Sequence, residues 1–204
     1  TSNNADAVKG KKVIIVAVKP HQTEKVITEI RPLLQKDQIL VSVVTGVKIE
    51  VLKEYCGADV HIFRAMPNTA IAIRESMTCI STRDDSAENK DIVFSIFDQL
   101  GKTIKIEEEL MDASTVLAAC GIAYALRFIR AASQGGIEIG FDSATAQLIA
   151  SQTVRGAAGL LIEGGEQPEY EIDKVITPMG CTIAGLNEME HQGFSSSLIK
   201  GILT

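Results

Sequence analysis

The stretch Val13-Ile14-Ile15-Val16-Ala17-Val18, closed by Lys19-Pro20, decides the fold. An aliphatic run without polar alternation reads as a strand covered on both faces, which is the mark of a parallel sheet. Val26, Ile27, Ile30, Leu33 and Leu34 follow at helical spacing. Ile39 to Val44 is a second strand, ending in Thr45-Gly46, and a short helix runs from Val47 to Tyr55. Val60 to Arg64 is a third strand and leads into Met66-Pro67-Asn68-Thr69. Met77 to Ser81 and Thr103 to Ile106 give two more. Between them lies a helix over Ala87 to Leu100, with Ile92, Val93, Ile96, Phe97 and Leu100 on one face. Strands alternating with helices predict an α/β layer architecture over residues 1–106.

From Glu107 the character changes, and residues 107–204 read as a separate all-helical domain. Two long helices are expected, about Leu110 to Ser133 and Ser143 to Glu163. Asp142 is placed to cap the second and Gly164-Gly165 to stop it. Both are apolar almost all round, with Arg127, Arg130 and Arg155 the only firm charges between Asp112 and Glu163 outside the connecting loop. A helix without a polar face needs cover on every side, and the simplest cover is a second subunit. The expectation is a homodimer or higher homo-oligomer, with an obligate interface of roughly 2,000 Å² or more.

Near the end stands Ile176-Thr177-Pro178-Met179-Gly180-Cys181-Thr182-Ile183-Ala184-Gly185-Leu186. Pro178 and Gly180 break regular structure, and Ile183, Leu186 and Met189 then repeat at helical spacing. Thr182 is placed to cap this helix and Gly193 to stop it. A helix N-terminus offers unpaired N–H groups and positive partial charge, a seat for a small carboxylate flanked here by two hydroxyls, Thr177 and Thr182. On these residues alone, an ordinary capped turn is the simpler reading.

Composition narrows the classes. The 204 residues are 46% hydrophobic with a net charge of -6, which speaks against nucleic acid, whose phosphates call for a basic surface. Cys56, Cys79, Cys120 and Cys181 show no C-x-x-C spacing, so free buried thiols in a reducing cytoplasm are expected. His21, His61 and His191 lie far apart and none adjoins a cysteine, so no metal site is expected. The polar start Thr1-Ser2-Asn3-Asn4 has no signal-peptide h-region. The longest uncharged apolar stretch, Ala113 to Leu126, falls short of the roughly 20 residues that span a bilayer. A soluble protein without membrane or nucleic-acid partners is the expectation. No G-x-G-x-x-G follows any strand. Either the sheet is not dinucleotide-binding, or its opening strands precede Thr1.

Taken in order, these stretches resemble the pyrroline-5-carboxylate reductase family. The likeness runs from Asn4 through Ala17-Val18-Lys19-Pro20 and Met66-Pro67-Asn68-Thr69 to Gly121, Ala123-Tyr124 and the long helices. It finishes with Thr177-Pro178, Gly180, Thr182-Ile183-Ala184-Gly185-Leu186 and Glu190. The resemblance implies a partial Rossmann-type domain followed by an all-α oligomerisation domain. It places the glycine-rich turn and about 50 to 60 residues, roughly two βα units, before Thr1. It further implies NADPH or NADH across the carboxyl ends of the strands, facing Asn4, Ala17, Val18, Lys19, Pro20, Val43, Val44, Thr45, Asn68 and Thr69. A cyclic imine would have its carboxylate on the N–H groups around Gly180, Cys181 and Thr182, with the Thr182 hydroxyl at the ring nitrogen as the catalytic contact. Thr177, Lys174 and Glu108 match positions near that substrate. Read from its own residues, Glu108 belongs to a solvated Glu107-Glu108-Glu109 run.

Several positions depart from the family pattern. Ala118-Ala119-Cys120 stands where small polar residues and glycine are usual, Ile122 at a proline, Met179 at a glycine, Ile176 at a small hydroxyl residue and Lys174 at an asparagine. Bulky Met179 is expected to narrow the carboxylate pocket. Two other readings therefore stay open: a related oxidoreductase acting on another imine or carbonyl, and a non-catalytic paralogue that binds a metabolite.

Overall fold

Five strands lie side by side in chain order: β1 (Val13–Val16), β2 (Ile39–Ser42), β3 (His61–Met66), β4 (Ser76–Thr82) and β5 (Gly101–Lys105). In a computed structural model that describes residues 1–57 and 59–204, they belong to the first of two compact units, Thr1–Ile122 and Ala123–Thr204. All five match the expected strand positions. One direction does not. β1, β2 and β3 are parallel and β4 is parallel to β5, but β3 and β4 pair antiparallel, Phe63 opposite Thr82 and Met66 opposite Cys79. The physical reason is the short link, residues 67–75, which holds only a 3-10 turn over Thr69–Ile73. A parallel return needs a crossover of a dozen or more residues.

β2 is buried along its whole length and forms the centre of two cores, one on each face. On one face Val16, Ile27, Leu40, Val44, Ile49, Leu52 and Ile62 pack under α2 (Thr23–Ile30) and α3 (Ile49–Cys56). On the other, Ile39, Val41, Phe63, Ala65 and Ile80 pack against Val93 and Phe97 of α4 (Ala87–Asp98). β1 differs from the expectation of a strand covered on both faces. It is the edge of this sheet, with Ile14 and Val16 buried and Ile15 48% exposed. A short helix that apolar spacing did not reveal, α1 (Asn4–Val8), precedes it. The Asn3 side chain caps α1 by accepting from the Ala5 N–H at 2.8 Å.

The helical segment Glu108–Glu138 is continuous but not uniform. A 3-10 turn (Glu108–Leu110) and α5 (Met111–Ser114) open it. A π-helical turn, Thr115–Cys120, leads into α6 (Gly121–Glu138). Counting past isolated charges, this segment is long and apolar enough by length and composition to cross a membrane, contrary to the shorter stretch the sequence suggested. α7 (Ser143–Gly164) begins on Asp142, whose carboxylate accepts from the Ala144 and Thr145 N–H groups, and ends on Gly165 at φ 72°. Both ends match expectation. α8 (Pro168–Val175), α9 (Cys181–His191) and α10 (Phe194–Leu203) complete the second unit. Leu126, Leu148, Ile149, Leu160, Ile162 and Ile199 all stand more than 45% exposed on these helices.

Candidate active site

Register sets the ends of β1 and β2 level, Val16 opposite Ser42, and puts Ser42 opposite Arg64, two residues before the end of β3. The segments that follow β1, β2 and β3 therefore leave the sheet at one edge, the carboxyl edge of the parallel strands. That is where an open α/β sheet binds a nucleotide. Ala17–Pro20, Val43–Thr45 and Asn68-Thr69 are these segments. Lys19 and Thr45 are exposed; Val44 is 3% exposed, belongs to the core and donates its N–H to the Ser42 hydroxyl, so it presents almost no surface at this edge. Asn4 is not at a strand end. It sits in the first turn of α1, and its amide donates to the Glu29 carboxylate at 3.2 Å.

The Asn68 loop is fixed from three directions. Its backbone N–H donates to the Ser76 hydroxyl at 3.1 Å, and its side-chain oxygen accepts from the Ala70 N–H at 3.0 Å. Its amide nitrogen donates to the Ala118 carbonyl at 3.2 Å. Ser76 is itself buried and shares a hydrogen bond with Thr78. The polar atoms of the Asn68 side chain are thus spent on shaping the loop. Ala118 lies in the π-helical turn, a feature often found at functional sites.

Glu108 is not part of a solvated run. Its carboxylate is 10% exposed and lies in the first unit, where Oε1 accepts from the Ile49 N–H at 2.6 Å and from Arg64 Nη1 at 3.3 Å, while Oε2 lies 3.4 Å from Arg83 Nη2. The 3-10 turn after Glu107 rotates this one carboxylate inward and leaves Glu109 outside. Arg64, 2% exposed in β3, was legible only as the end of a strand. A buried guanidinium demands a partner, and that demand was the signal for Glu108.

In the second unit, Thr177 to Thr182 form the turn and start of α9. The Gly180 N–H donates to the Thr177 carbonyl at 2.9 Å, so it is spent inside the turn. Gly180, not Thr182, is the N-cap, and no side chain caps the helix. Thr182 is the second helical residue, half-buried, because the turn closes two residues earlier than the hydroxyl pattern suggested. The N–H groups of Cys181 and Thr182 in this uncapped first turn are the ones positioned for an anion. Met179 takes φ 59°, the left-handed backbone that favours glycine, and its side chain is 103% exposed. It projects into solvent and does not narrow the turn. Lys174 is engaged along α8: its ammonium donates to Glu171 at 2.7 Å and lies 4.2 Å above the Tyr170 ring. The hydrogen bond to Glu171 raises its pKa above the ordinary lysine value. Cys56 and Cys79 are buried free thiols as expected, but Cys120 and Cys181 are exposed. Among the described residues, no group of His, Cys, Asp and Glu is arranged to hold a metal ion.

Comparison with known proteins bears on both units. Residues 108–204 match the model for pyrroline-5-carboxylate reductase dimerisation, and residues 1–46 match that for coenzyme F420-dependent NADP oxidoreductase. The chain is 49% identical over its whole length to pyrroline-5-carboxylate reductase 1 of Dictyostelium discoideum, and spans 39% of that protein. It is 43% identical, again over its whole length, to pyrroline-5-carboxylate reductase 2 of the same organism, spanning 73% of it. A solved pyrroline carboxylate reductase of Plasmodium falciparum with NADP bound superposes on 99% of the chain, and on 77% of its own, with a TM-score of 0.90 at 26% identity. With identity of this order along its full length, the chain belongs to the pyrroline-5-carboxylate reductase family of oxidoreductases.

Proposed function

We propose that this chain serves the NAD(P)H-dependent reduction of 1-pyrroline-5-carboxylate to L-proline. The observation that carries the reading is the uncapped start of α9. A Thr177–Gly180 turn delivers the Cys181 and Thr182 N–H groups with no protein side chain in the capping position. A substrate carboxylate satisfies both groups and the positive helix end at once. The Thr182 hydroxyl then contacts the ring nitrogen.

The dinucleotide belongs at the carboxyl edge of β1, β2 and β3. Backbone and exposed side chains of Ala17–Pro20, Val43–Thr45 and Asn68-Thr69 meet there, and the left-handed Gly46 at φ 78° keeps the second segment open. A bound reduced nicotinamide supplies the hydride. An imine already protonated on nitrogen accepts it at carbon and becomes a secondary amine without further proton transfer. The protein's part is then positioning and electrostatics rather than a strong acid. Glu108, with its carboxylate bonded to Ile49 and Arg64 and facing Arg83, is left no free substrate role in this reading. Lys174 keeps an ammonium that can swing from Glu171 to a carboxylate.

The apolar surfaces of α6, α7 and α10 are covered by a second copy of the chain. The dimerisation-family match over residues 108–204 supports that cover over a bilayer for Glu108–Glu138. On this reading the enzyme works in solution, and we place it in the cytoplasm. The direct test is a steady-state assay with NADPH and NADH against pyrroline-5-carboxylate and other cyclic imines, with the product identified. Proline from pyrroline-5-carboxylate at the highest kcat/KM supports the reading. A faster turnover of a different imine, or none of any, refutes it.

A further inference from the structure

Residues 43–48 connect β2 to α3 and carry one of the three segments at the proposed cofactor edge. Their front end is fixed by the sheet: the Val43 N–H donates to the Val16 carbonyl at 3.0 Å, and the Val44 side chain is buried. Their back end is fixed by a side chain from far along the chain. Ile49 is the first residue of α3, with no cap from Lys48, and its N–H donates to Glu108 Oε1 at 2.6 Å. The same oxygen lies 3.3 Å from Arg64 Nη1, and Arg64 stands in register with Ser42, the last residue of β2. One carboxylate therefore ties the start of α3 to β3, the strand that pairs with β2 where the loop begins.

Stability alone does not account for this arrangement. Arg64 is 2% exposed, and among the described residues its Nε has no hydrogen-bond partner. A buried ion pair with an orphaned donor contributes little or nothing compared with an apolar pair of the same size. What the carboxylate supplies, and an apolar pair cannot, is a directional acceptor for the Ile49 N–H at a helix N-terminus.

We propose that Glu108 is a positioning residue for the cofactor. By accepting from Ile49 while paired with Arg64, it sets the path of Thr45-Gly46-Val47 against the dinucleotide, without touching substrate itself. The inference rests on the proposed nucleotide edge and assigns Glu108 to it instead of to the substrate. Two double variants separate the acceptor from the charge pair. Arg64→Met with Glu108→Leu removes both, while Arg64→Met with Glu108→Gln keeps an acceptor of the same reach. NADPH binding by the purified native enzyme and by each variant is followed through nicotinamide fluorescence, with KM and kcat measured alongside.

The expected result is binding about five- to tenfold weaker for the leucine variant and within about twofold of the parent for the glutamine variant. The loss should appear in the KM for NADPH, with kcat changed less than about twofold. Parental affinity in the leucine variant overturns the proposal, as does equal weakening in both. Glu108→Asp, which keeps the charge beside Arg64 but withdraws the acceptor by one methylene, decides the matter if the leucine variant does not fold. Weaker NADPH binding by it supports the proposal and parental binding overturns it. A parent enzyme that does not bind NADPH overturns the nucleotide edge and this inference together; a parent that binds, with variants that bind equally well, overturns this inference alone.

Discussion

Thr177 and Gly180 close on each other so tightly that position 180 has no room for a side chain. The Thr177 carbonyl accepts from the Gly180 N–H at 2.9 Å, and a Cβ at 180 would run into the Thr177 hydroxyl and lie 3.0 Å from its carbonyl oxygen. Gly180 has φ -75°, which any residue can adopt, so what glycine provides here is space. Gly180→Ala should therefore push the turn open and displace the Cys181 and Thr182 N–H groups. Displacement of about 1 Å at a positioning element costs on the order of 100-fold in rate. Steady-state kinetics should show a loss of that order with little change in melting temperature. Adding Thr177→Ala, which removes the clashing hydroxyl, should recover part of it. Parental kcat/KM in Gly180→Ala would remove this turn from the account.

Thr182→Ala tests the hydroxyl alone. Because Gly180 is the N-cap, the substitution removes no helix cap, and stability should change by less than about 0.5 kcal/mol. A hydrogen bond to a charged substrate nitrogen is worth roughly 1.5–3 kcal/mol, so kcat/KM should fall about 10- to 150-fold. Thr182→Ser should keep most of the activity. Equal activity in the alanine and parent proteins would leave the carboxylate seat standing on backbone groups only.

Met179 pays a conformational cost that its exposed side chain does not repay. A left-handed backbone costs a non-glycine residue about 1 kcal/mol, partly offset in a glycine variant by the freer unfolded chain. Met179→Gly should leave stability equal or raise it by on the order of 0.5 kcal/mol. Met189→Gly, inside α9, should cost about 1 kcal/mol. Denaturant melts of both variants make the comparison. A Met179→Gly protein destabilised as much as Met189→Gly would contradict the left-handed turn.

How much of this was legible in the sequence varied with the physics of each element. Aliphatic runs located β1 and β2, whereas β4 and the mostly exposed β5 carry no such run, and Asp142 and Gly165 bounded α7 through plain capping chemistry. Strand direction is not written in Met77 to Ser81. It was written in the short link after Met66, too brief for a crossover. At the candidate site, the order of Thr177, Pro178 and Gly180 pointed to the turn, but which residue caps α9 depends on where the turn closes. Glu108 shows the limit most clearly. Three consecutive glutamates look alike in sequence, and only the 3-10 turn and a buried arginine far upstream select the one that turns inward.

The acid limb of stability should report on Asp84. Burial acts to raise its carboxyl pKa, but hydrogen bonds from the Ser86 N–H and the Asn89 amide, both at 2.9 Å, outweigh it. With His61 Nδ1 at 2.8 Å, they hold the pKa below the ordinary aspartate value. A carboxyl depressed in the folded state contributes stability above its unfolded pKa of about 3.9 and loses it as pH falls through the folded value. Asp84→Asn should thus be less stable than the parent by about 1–2 kcal/mol at pH ~7, with the gap narrowing once the pH falls below the unfolded value of about 3.9. Urea melts at pH ~7 and below that value test this, and a gap independent of pH would refute it.

The central claim is hydride transfer from a nicotinamide to the ring carbon of pyrroline-5-carboxylate. The most direct measurement is mass spectrometry of the proline formed by the native enzyme from unlabelled substrate and NADPH dideuterated at its reducing carbon. The account predicts proline carrying one deuterium, on the ring carbon next to nitrogen. Proline without deuterium, or NADPH bound and no proline formed, would contradict it.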